Sequence, residues 1–232
     1  MYNLWTDWSK IKINYPKRKH LKLAELDKIP YYDEHDKIIN SQKVEREEQY
    51  ITNDYVNPDM TVIEFGARYG TVSCVINNKL ENPRNHIVFE PDKKVIKSLL
   101  KNRKSHEAKF LIVNGIIGSK PKKLTKTGYA TKAEDANKTD TDIIKSITLK
   151  KLMKKTGLKF DCLVADCEGC ICEFIDENGE YIKDFKMIIF EKDYPDQCDY
   201  ERIKLKLVEW NFKVLVDKFV SVWVKIGYEY KS

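Results

Sequence analysis

Short apolar runs alternate with longer amphipathic segments over most of the chain, from about residue 61 onward. Apolar runs bounded by polar or turn residues predict buried strands, and alternation with helix-length segments favours a parallel sheet with crossover helices. In chain order, the predicted strands are "TVIEF", "HIVFE", "KFLIVNG", "FDCLVAD", "KMIIFE", "FKVLVD" and "VSVWVKI".

The segments between these strands carry helical periodicity. The predicted helices are residues 41–56, 71–80, 92–103 and 146–157, a helix after Glu168, and residues 199–210. The last two strands are separated only by a few residues around Lys218, so they must form an antiparallel hairpin, because a parallel pair needs a long crossover. The sequence therefore predicts an α/β fold in three α/β/α layers: a class I methyltransferase, Rossmann-like seven-stranded sheet with a C-terminal antiparallel hairpin.

Two stretches depart from this alternation. Residues 1–58 are polar and aromatic with weak periodicity and are predicted to be a leader on the substrate side of the main domain, which covers residues 59–232. Residues 119–141 are rich in lysine and poor in apolar side chains, which predicts a mobile surface insertion that can close over a ligand.

Composition narrows the class of protein. The 232 residues are 42% hydrophobic and 34% charged, a globular balance, and no apolar run is long enough to span a membrane. The start of the chain does not resemble a secretory signal, so we predict a cytoplasmic protein with its six cysteines reduced and no disulfide framework. The lysine, isoleucine and asparagine bias fits an AT-rich genome, including that of a virus in an infected host cell. The net charge of +6 is more typical of a solvated lysine face than of a nucleic-acid site.

The stretch "VIEFGARYG" reads as a strand, a tight glycine turn and the start of a helix. Gly66 and Gly70 give the spacing G-x-x-x-G, which differs from the G-x-G-x-x-G that brings backbone amides to a diphosphate. Polar residues also stand at or near the carboxyl ends of the predicted parallel strands, the edge at which such sheets bind ligands. These residues are Glu64, Glu90, Asn114, Asp166 and Glu191.

A strongly negative rim repels a pyrophosphate and suits S-adenosylmethionine, which carries a sulfonium and an ammonium but no phosphate. Glu90 follows the second strand, where an acidic residue accepts hydrogen bonds from ribose hydroxyls. Glu64 is predicted to reach the amino-acid end of the cofactor, and Asn114 to meet the adenine edge.

At these positions the chain resembles the FkbM-type family of S-adenosylmethionine-dependent O-methyltransferases, from roughly Val44 to the C-terminus. The resemblance rests on "VIEFGARYG", "VFEPD", "VNGIIG", "SITLKKL", "LVADCEG" with its Asp-x-Glu-Gly element, and "IIFE". It implies cofactor contacts at Glu64, Phe65, Gly66, Ala67, Tyr69, Gly70, Ser73, Glu90, Pro91, Asn114, Gly115 and Asp166. The chain departs from the family pattern in having Glu64 in place of Asp, Arg68 in place of Asn, and Cys167 in place of an aliphatic residue.

Methyl transfer requires a positioned acceptor and a base for its proton. Asp166, at the end of the fourth strand, is the first candidate, with Glu168 and Glu191 beside it because neighbouring carboxylates raise each other's pKa. Glu168 has an alternative structural interpretation, as the cap of the following helix. His35 in the leader is a further candidate base.

Metal chemistry is the weaker interpretation of the same residues. Asp166, Glu191 and Asp193 offer oxygen ligands for a divalent cation, but no metal is predicted. Cys167 and Cys170 lack the second cysteine pair that a structural zinc site usually has.

The predicted function is S-adenosylmethionine-dependent O-methylation of a hydroxyl group on a small molecule, with a sugar or glycan preferred because the resemblance implies it. An RNA ribose 2′-O-methyltransferase, a non-catalytic protein that only binds the cofactor, and a nicotinamide dehydrogenase are the alternatives. The dehydrogenase is disfavoured by the glycine spacing. No membrane partner is predicted, and the oligomeric state is left open.

Overall fold

The computed structural model describes residues 20–127, 130–137 and 139–229, and its centre is a seven-stranded sheet. The sheet order is β12-β13-β11-β10-β3-β4-β5. The strands are β3 Val62–Phe65, β4 His86–Phe89, β5 Leu111–Val113, β10 Cys162–Ala165, β11 Met187–Glu191, β12 Phe212–Asp217 and β13 Val220–Lys225. All seven correspond to predicted strands.

Strands β5, β4, β3, β10 and β11 are parallel to one another. Strand β13 lies between β11 and β12 and runs antiparallel to both. The predicted C-terminal hairpin is confirmed, with a β-bulge between Val214 and Val216 on its outer strand. The parallel strands therefore present their carboxyl ends together at one edge.

Within the described ranges, seven helices accompany the sheet: α1 Leu23–Leu26, α2 Arg46–Tyr55, α3 Thr71–Lys79, α4 Ile96–Ser105, α5 Leu149–Thr156, α6 Ile171–Ile182 and α7 Tyr200–Glu209. Side chains alternate across each strand, so Ile63 and Phe65 pack in the layer of α5, α6 and α7, while Val62 packs with α3 on the opposite face. The three-layer α/β/α prediction is confirmed. None of the helices in the described ranges combines the length and apolar character of a bilayer-spanning segment.

Local chemistry fixes where the helices begin and end. The Thr148 hydroxyl accepts from Lys151 N at the start of α5, and Gly157 closes it with φ 71°. Asp199 caps α7 by accepting from Arg202 N at 3.0 Å. The predicted helix over 41–56 begins only at Arg46, because Glu45 has a left-handed φ of 51° that interrupts helical geometry.

The leader, as far as it is described from residue 20, packs against the main domain. A short pair of strands, β1 Tyr31–Tyr32 and β2 Ile38–Ile39, lies beside α4, and α2 lies beside α3. Arg46 binds Asp27 through both of its terminal nitrogens. The division into residues 1–58 and 59–232 stays a prediction, and residues 1–19 lie outside the described part.

The predicted surface insertion contains regular structure. Strands β7 Lys122–Thr127 and β8 Ala130–Asp135 form an antiparallel hairpin, flanked by a parallel pair, β6 Ile116–Ile117 and β9 Ser146–Ile147. No strand was predicted over 119–141, because the segment is poor in apolar residues, whereas this hairpin is held by backbone pairing and by ion pairs such as Lys122 with Asp135. That the segment is mobile and closes over a ligand stays a prediction.

Candidate functional site

The glycine turn after β3 is built for close backbone approach. Gly66 has φ 84°, and a Cβ placed there would lie 1.6 Å from the carbonyl oxygen of Asp166. Gly70 has φ 82°, and its Cβ would lie 2.7 Å from a methyl carbon of Leu99 on α4. Side chains are excluded at both positions, so β3, β10 and the adjoining helices approach each other through bare main chain.

Glu90 follows β4 and is held by main-chain donors. Its carboxylate accepts from Arg68 N and from Asp92 N, both at 2.7 Å, and the residue is 5% exposed. Burial raises the pKa of Glu90 to about 7, although the two N–H donors act in the opposite direction. The carboxylate is thus fixed in position with lone pairs left over for a ligand.

Asn114 stabilises the same loop. Its side-chain NH2 donates to the carbonyls of Glu90 and Pro91 at 2.8 and 3.2 Å. The next residue, Gly115, has no room for a side chain, since a Cβ would lie 2.3 Å from Lys145 O. The amide predicted to meet an adenine edge is engaged with the main chain, and its proposed cofactor contact stays a prediction.

Glu64 points away from the turn, into the layer of α3. Its carboxylate accepts from the Ser73 hydroxyl at 2.6 Å and lies 2.7 Å from His86 Nε2, and all three residues are buried. The alternation of β3 explains this, because Glu64 precedes the last strand residue Phe65 and so faces the opposite side of the sheet. Glu64 and Ser73 form a buried polar cluster with His86.

A cavity of about 260 Å³ opens at the carboxyl edge of β3, β4 and β10. The predicted site residues that line it are Phe65, Gly66, Glu90, Pro91, Gly115, Asp166 and Glu168. A second, much smaller cavity adjoins it through Phe65, Gly66 and Asp166, and Glu64 and Glu191 line only this one. The structure thus brings together seven of the predicted residues around one space.

The other predicted residues lie outside both cavities. Ala67 and Tyr69 are buried in the turn, where the Tyr69 hydroxyl donates to Glu34 and the Arg68 guanidinium lies 4.9 Å from the Tyr69 ring centre. His35 is exposed between β1 and β2, and nothing in its position brings it to the cavity. Its predicted catalytic role stays a prediction.

Carboxylates crowd the β10 and β11 side. Burial, followed by repulsion from Asp166, raises the pKa of Glu168 to about 8. Burial and the Asp166 charge also raise the pKa of Glu191, which forms a hydrogen-bonded pair with Asp166. Since a carboxyl–carboxylate hydrogen bond needs one proton, Glu191 holds that proton for the pair. Asp166, Glu191 and Asp193 have oxygens within 4.8 Å of one another, the set considered for a cation.

Glu168 does not cap the following helix. Helix α6 begins at Ile171 after Cys170, and no side chain makes an N-cap hydrogen bond there. Glu168 itself has a left-handed φ of 50°. The capping interpretation is therefore wrong, and the carboxyl is directed to the cavity wall.

Several contributors to the cavity wall were missed from the sequence, among them Glu45 and Lys122. Glu45 reaches it from the start of α2, accepts from the Thr71 hydroxyl, and has its pKa raised to about 8 by burial. Lys122 reaches it from β7 and is bound to Glu173 of α6 at 2.6 Å. No sequence signal marked Glu45. Lys122 lies in the lysine-rich insertion over 119–141, which was predicted to close over a ligand, but the residue itself was not singled out.

The cysteines differ from the sequence expectation. Cys167 is bonded to Cys170 and Cys172 to Cys198, while Cys74 and Cys162 are buried free thiols. The prediction of six reduced cysteines is thus wrong for four of them. It rested on an assumed compartment, whereas the structure brings each pair to a Cα–Cα distance of 5.4 Å, within bonding range.

Comparison with solved structures supports the fold. The chain is similar to the precorrin-6y C5,15-methyltransferase of Geobacter metallireducens GS-15, with 15% identity, a TM-score of 0.52, and coverage of 87% of this chain and 97% of that one. The fibrillarin pre-rRNA processing protein of Methanococcus jannaschii matches with 17% identity, a TM-score of 0.48, and coverage of 94% and 86%. No protein-family model and no curated protein matches the sequence. At 15% identity, the similarity to the precorrin methyltransferase supports the fold alone, a Rossmann-like class I methyltransferase fold.

Proposed function

We propose that this chain is an S-adenosylmethionine-dependent methyltransferase that acts on a hydroxyl group, with a sugar or glycan as the preferred acceptor. The observation that carries the proposal is the cavity in which Glu90, the bare main chain of Gly66 and Gly115, and the Asp166–Glu168 carboxylates face one space. The preference for a sugar rests on the FkbM resemblance alone.

The residues present suit the cofactor. Glu90 is fixed by two N–H donors and can still accept from two vicinal ribose hydroxyls. The acids lining the cavity are Glu45, Glu90, Asp166, Glu168, Glu173 and Glu177, against the cations Arg68 and Lys122. Lys122 is itself paired with Glu173 and Asp135. Burial raises the pKa of Glu90 to about 7 and those of Glu45 and Glu168 to about 8, so the wall offers carboxyl oxygens as acceptors and gains negative charge as the pH rises through these values. Such a wall favours a sulfonium and an ammonium over a diphosphate.

S-adenosylmethionine supplies an electrophilic methyl group when it is bound. Asp166 and Glu168 line the cavity next to the Gly66 turn, so either can orient an acceptor hydroxyl and take its proton. Glu191 keeps the proton that it shares with Asp166, which leaves Asp166 as the ionised member of that pair. Glu168, with a pKa of about 8, holds a proton that is readily exchanged near neutral pH.

Calorimetric titration with S-adenosylhomocysteine and, separately, with NAD tests the cofactor. We expect binding of the first ligand only, and a loss of about tenfold or more in affinity for Glu90→Gln, because an NH2 donor replaces one acceptor oxygen of the carboxylate. Glu201→Gln is the matched control, since Glu201 lies on the exposed face of α7 and its side chain is 80% exposed. Absence of S-adenosylhomocysteine binding to the wild-type protein would overturn the proposal and favour a protein that merely shares the fold.

An RNA ribose 2′-hydroxyl is the second acceptor to test, because the chain carries a net charge of +6. Lys192, next to the carboxylate cluster, is bound to Asp217 at 2.6 Å and is not free to meet a phosphate. Methyl transfer from labelled cofactor to simple glycosides, compared with transfer to single-stranded RNA, separates the two acceptors. Transfer to RNA alone, with a steep salt dependence, would replace the sugar in the proposal.

A further inference from the structure

We infer that the Cys167–Cys170 disulfide is a redox-active site in the cavity wall, which small dithiols open and whose opening weakens ligand binding in the cavity. The existence of the exchange site is independent of the proposed function. Only the choice of S-adenosylhomocysteine as the ligand rests on it.

The bond closes a small ring at the most constrained point of the cavity wall. Cys167 and Cys170 flank Glu168, with φ 50°, and Gly169, with φ 83°, and all four residues line the cavity. A non-glycine residue such as Glu168 adopts a left-handed φ only when its surroundings impose it. The disulfide ring supplies that constraint together with Asp193, whose carboxylate accepts from the backbone N–H groups of Glu168 and Gly169.

The two disulfides differ in access. All but Cys198 line the cavity, but Cys172 and Cys198 are only 7% and 1% exposed, whereas Cys167 and Cys170 are half-buried. Attack by a thiolate requires access to a sulfur atom. The Cys167–Cys170 bond is therefore the one that reacts first, while Cys172–Cys198 ties α6 to the loop before α7 as a structural link.

The location of Cys170 sets the direction of exchange. Cys170 is the N-cap of α6, a helix with a kink at Asn178, and the N–H groups of a helix start stabilise a thiolate. A dithiol attacks Cys167, Cys170 leaves as the thiolate, and the second thiol of the reagent then attacks the mixed disulfide and releases Cys167. Two electrons and two protons pass from the dithiol, which becomes a cyclic disulfide, to the two cysteines.

Opening the ring removes the disulfide's share of the constraint on Glu168. In the oxidised protein the disulfide orders this part of the cavity wall before a ligand binds. In the reduced protein the ligand must order it on binding, and the conformational entropy lost in doing so lowers the affinity. We expect reduction of this one bond to weaken S-adenosylhomocysteine binding by about five- to tenfold.

Differential alkylation of the full chain tests the site without any ligand. Air-oxidised protein that is quenched in acid, denatured and alkylated should carry two labels, on Cys74 and Cys162. Treatment with increasing dithiothreitol before the quench should raise the number to four, because Cys167 and Cys170 become labelled before Cys172 and Cys198. Six labels on air-oxidised protein, or opening of Cys172–Cys198 first, would overturn the assignment.

Calorimetry at the four-label stage then tests the consequence. The double variant Cys167→Ser/Cys170→Ser should bind S-adenosylhomocysteine as weakly in air as the reduced wild type, and Cys172→Ser/Cys198→Ser should keep the response to dithiol. Unchanged affinity after the bond is shown to be open would refute the proposed effect on binding. Absence of binding in both redox states would instead contradict the proposed cofactor and leave the alkylation result standing. The wild-type titration needs no variant to fold.

Discussion

The two sides of the cavity hold their carboxylates by different means. On the β4 side, Glu90 is 5% exposed, yet its pKa reaches only about 7, because two backbone N–H groups stabilise the ionised form. On the β10 side, Glu168 is more exposed, yet burial and the nearby Asp166 charge take its pKa to about 8. Depth of burial alone does not set these values; what the carboxylate faces does.

We expect this difference to separate cofactor binding from proton transfer. A side built from main-chain donors and bare glycine turns holds its carboxylate in a fixed position, as a cofactor site requires. A side built from mutually repelling acids exchanges protons near neutrality, as an acid–base site requires. We call the first side, with Gly66 and Glu90, the main-chain wall, and the second side, with Asp166 and Glu168, the carboxylate wall. The following experiments test whether the two walls behave differently.

The largest effect is expected at the joint between the walls. Gly66→Ala places a Cβ against the Asp166 carbonyl at a positive φ, so we expect a loss of about 4 kcal/mol in the free energy of unfolding. Gly157→Ala is the matched control, with φ 71° but nothing within 4 Å of the added carbon, and should lose about 1 kcal/mol. Urea denaturation measures both. Equal losses would show that the walls are not in close contact.

Removal of the Glu168 charge tests the carboxylate wall through activity. Glu168→Gln should lower the rate of methyl transfer by about 100-fold, since a positioned base contributes at least that much. The wild-type rate should rise with pH up to about 8, as Glu168 loses its proton, and the rise should be absent in the variant. Glu209→Gln, on the exposed end of α7, is the control. A variant that keeps the wild-type pH profile would transfer the role to Asp166.

Glu168→Gln, which should lower activity, should raise the stability of the fold at high pH. The pKa of Glu168 is raised in the folded chain, from 4.5 to about 8, so the folded state binds the proton more tightly. The contribution of protonated Glu168 to the free energy of unfolding is therefore complete below about pH 4.5 and is lost as the pH rises to about 8. Glu168→Gln should be more stable than the wild type at pH 8.5 by about 1 kcal/mol, and not at pH 4. Thermal unfolding at the two pH values checks the sign.

The main-chain wall was largely predictable from sequence, and the carboxylate wall only in part. Strand ends and glycine spacing place Gly66 and Glu90 correctly, because the parallel sheet itself brings them to one edge. Strand alternation turns Glu64 toward Ser73 and His86 on the opposite face of the sheet, so its predicted contact with the cofactor stays a prediction. Glu45 escaped notice because tertiary packing of the leader, which no local pattern encodes, brings it to the cavity.

The smallest effect is expected outside both walls, at the hairpin β7–β8. Lys122 joins Glu173 of α6 to Asp135 across the hairpin while lining the cavity, and its side chain is 15% exposed. Lys122→Met keeps the aliphatic stem and removes the ion pairs, so we expect S-adenosylhomocysteine affinity to fall about two- to threefold and stability by less than about 1 kcal/mol. Lys132→Met, which breaks only the pair with Glu134 within β8, should change neither. If Lys122→Met weakened binding as much as Glu90→Gln, the hairpin would be a third wall of the site, and a division of the cavity into two walls would be too simple.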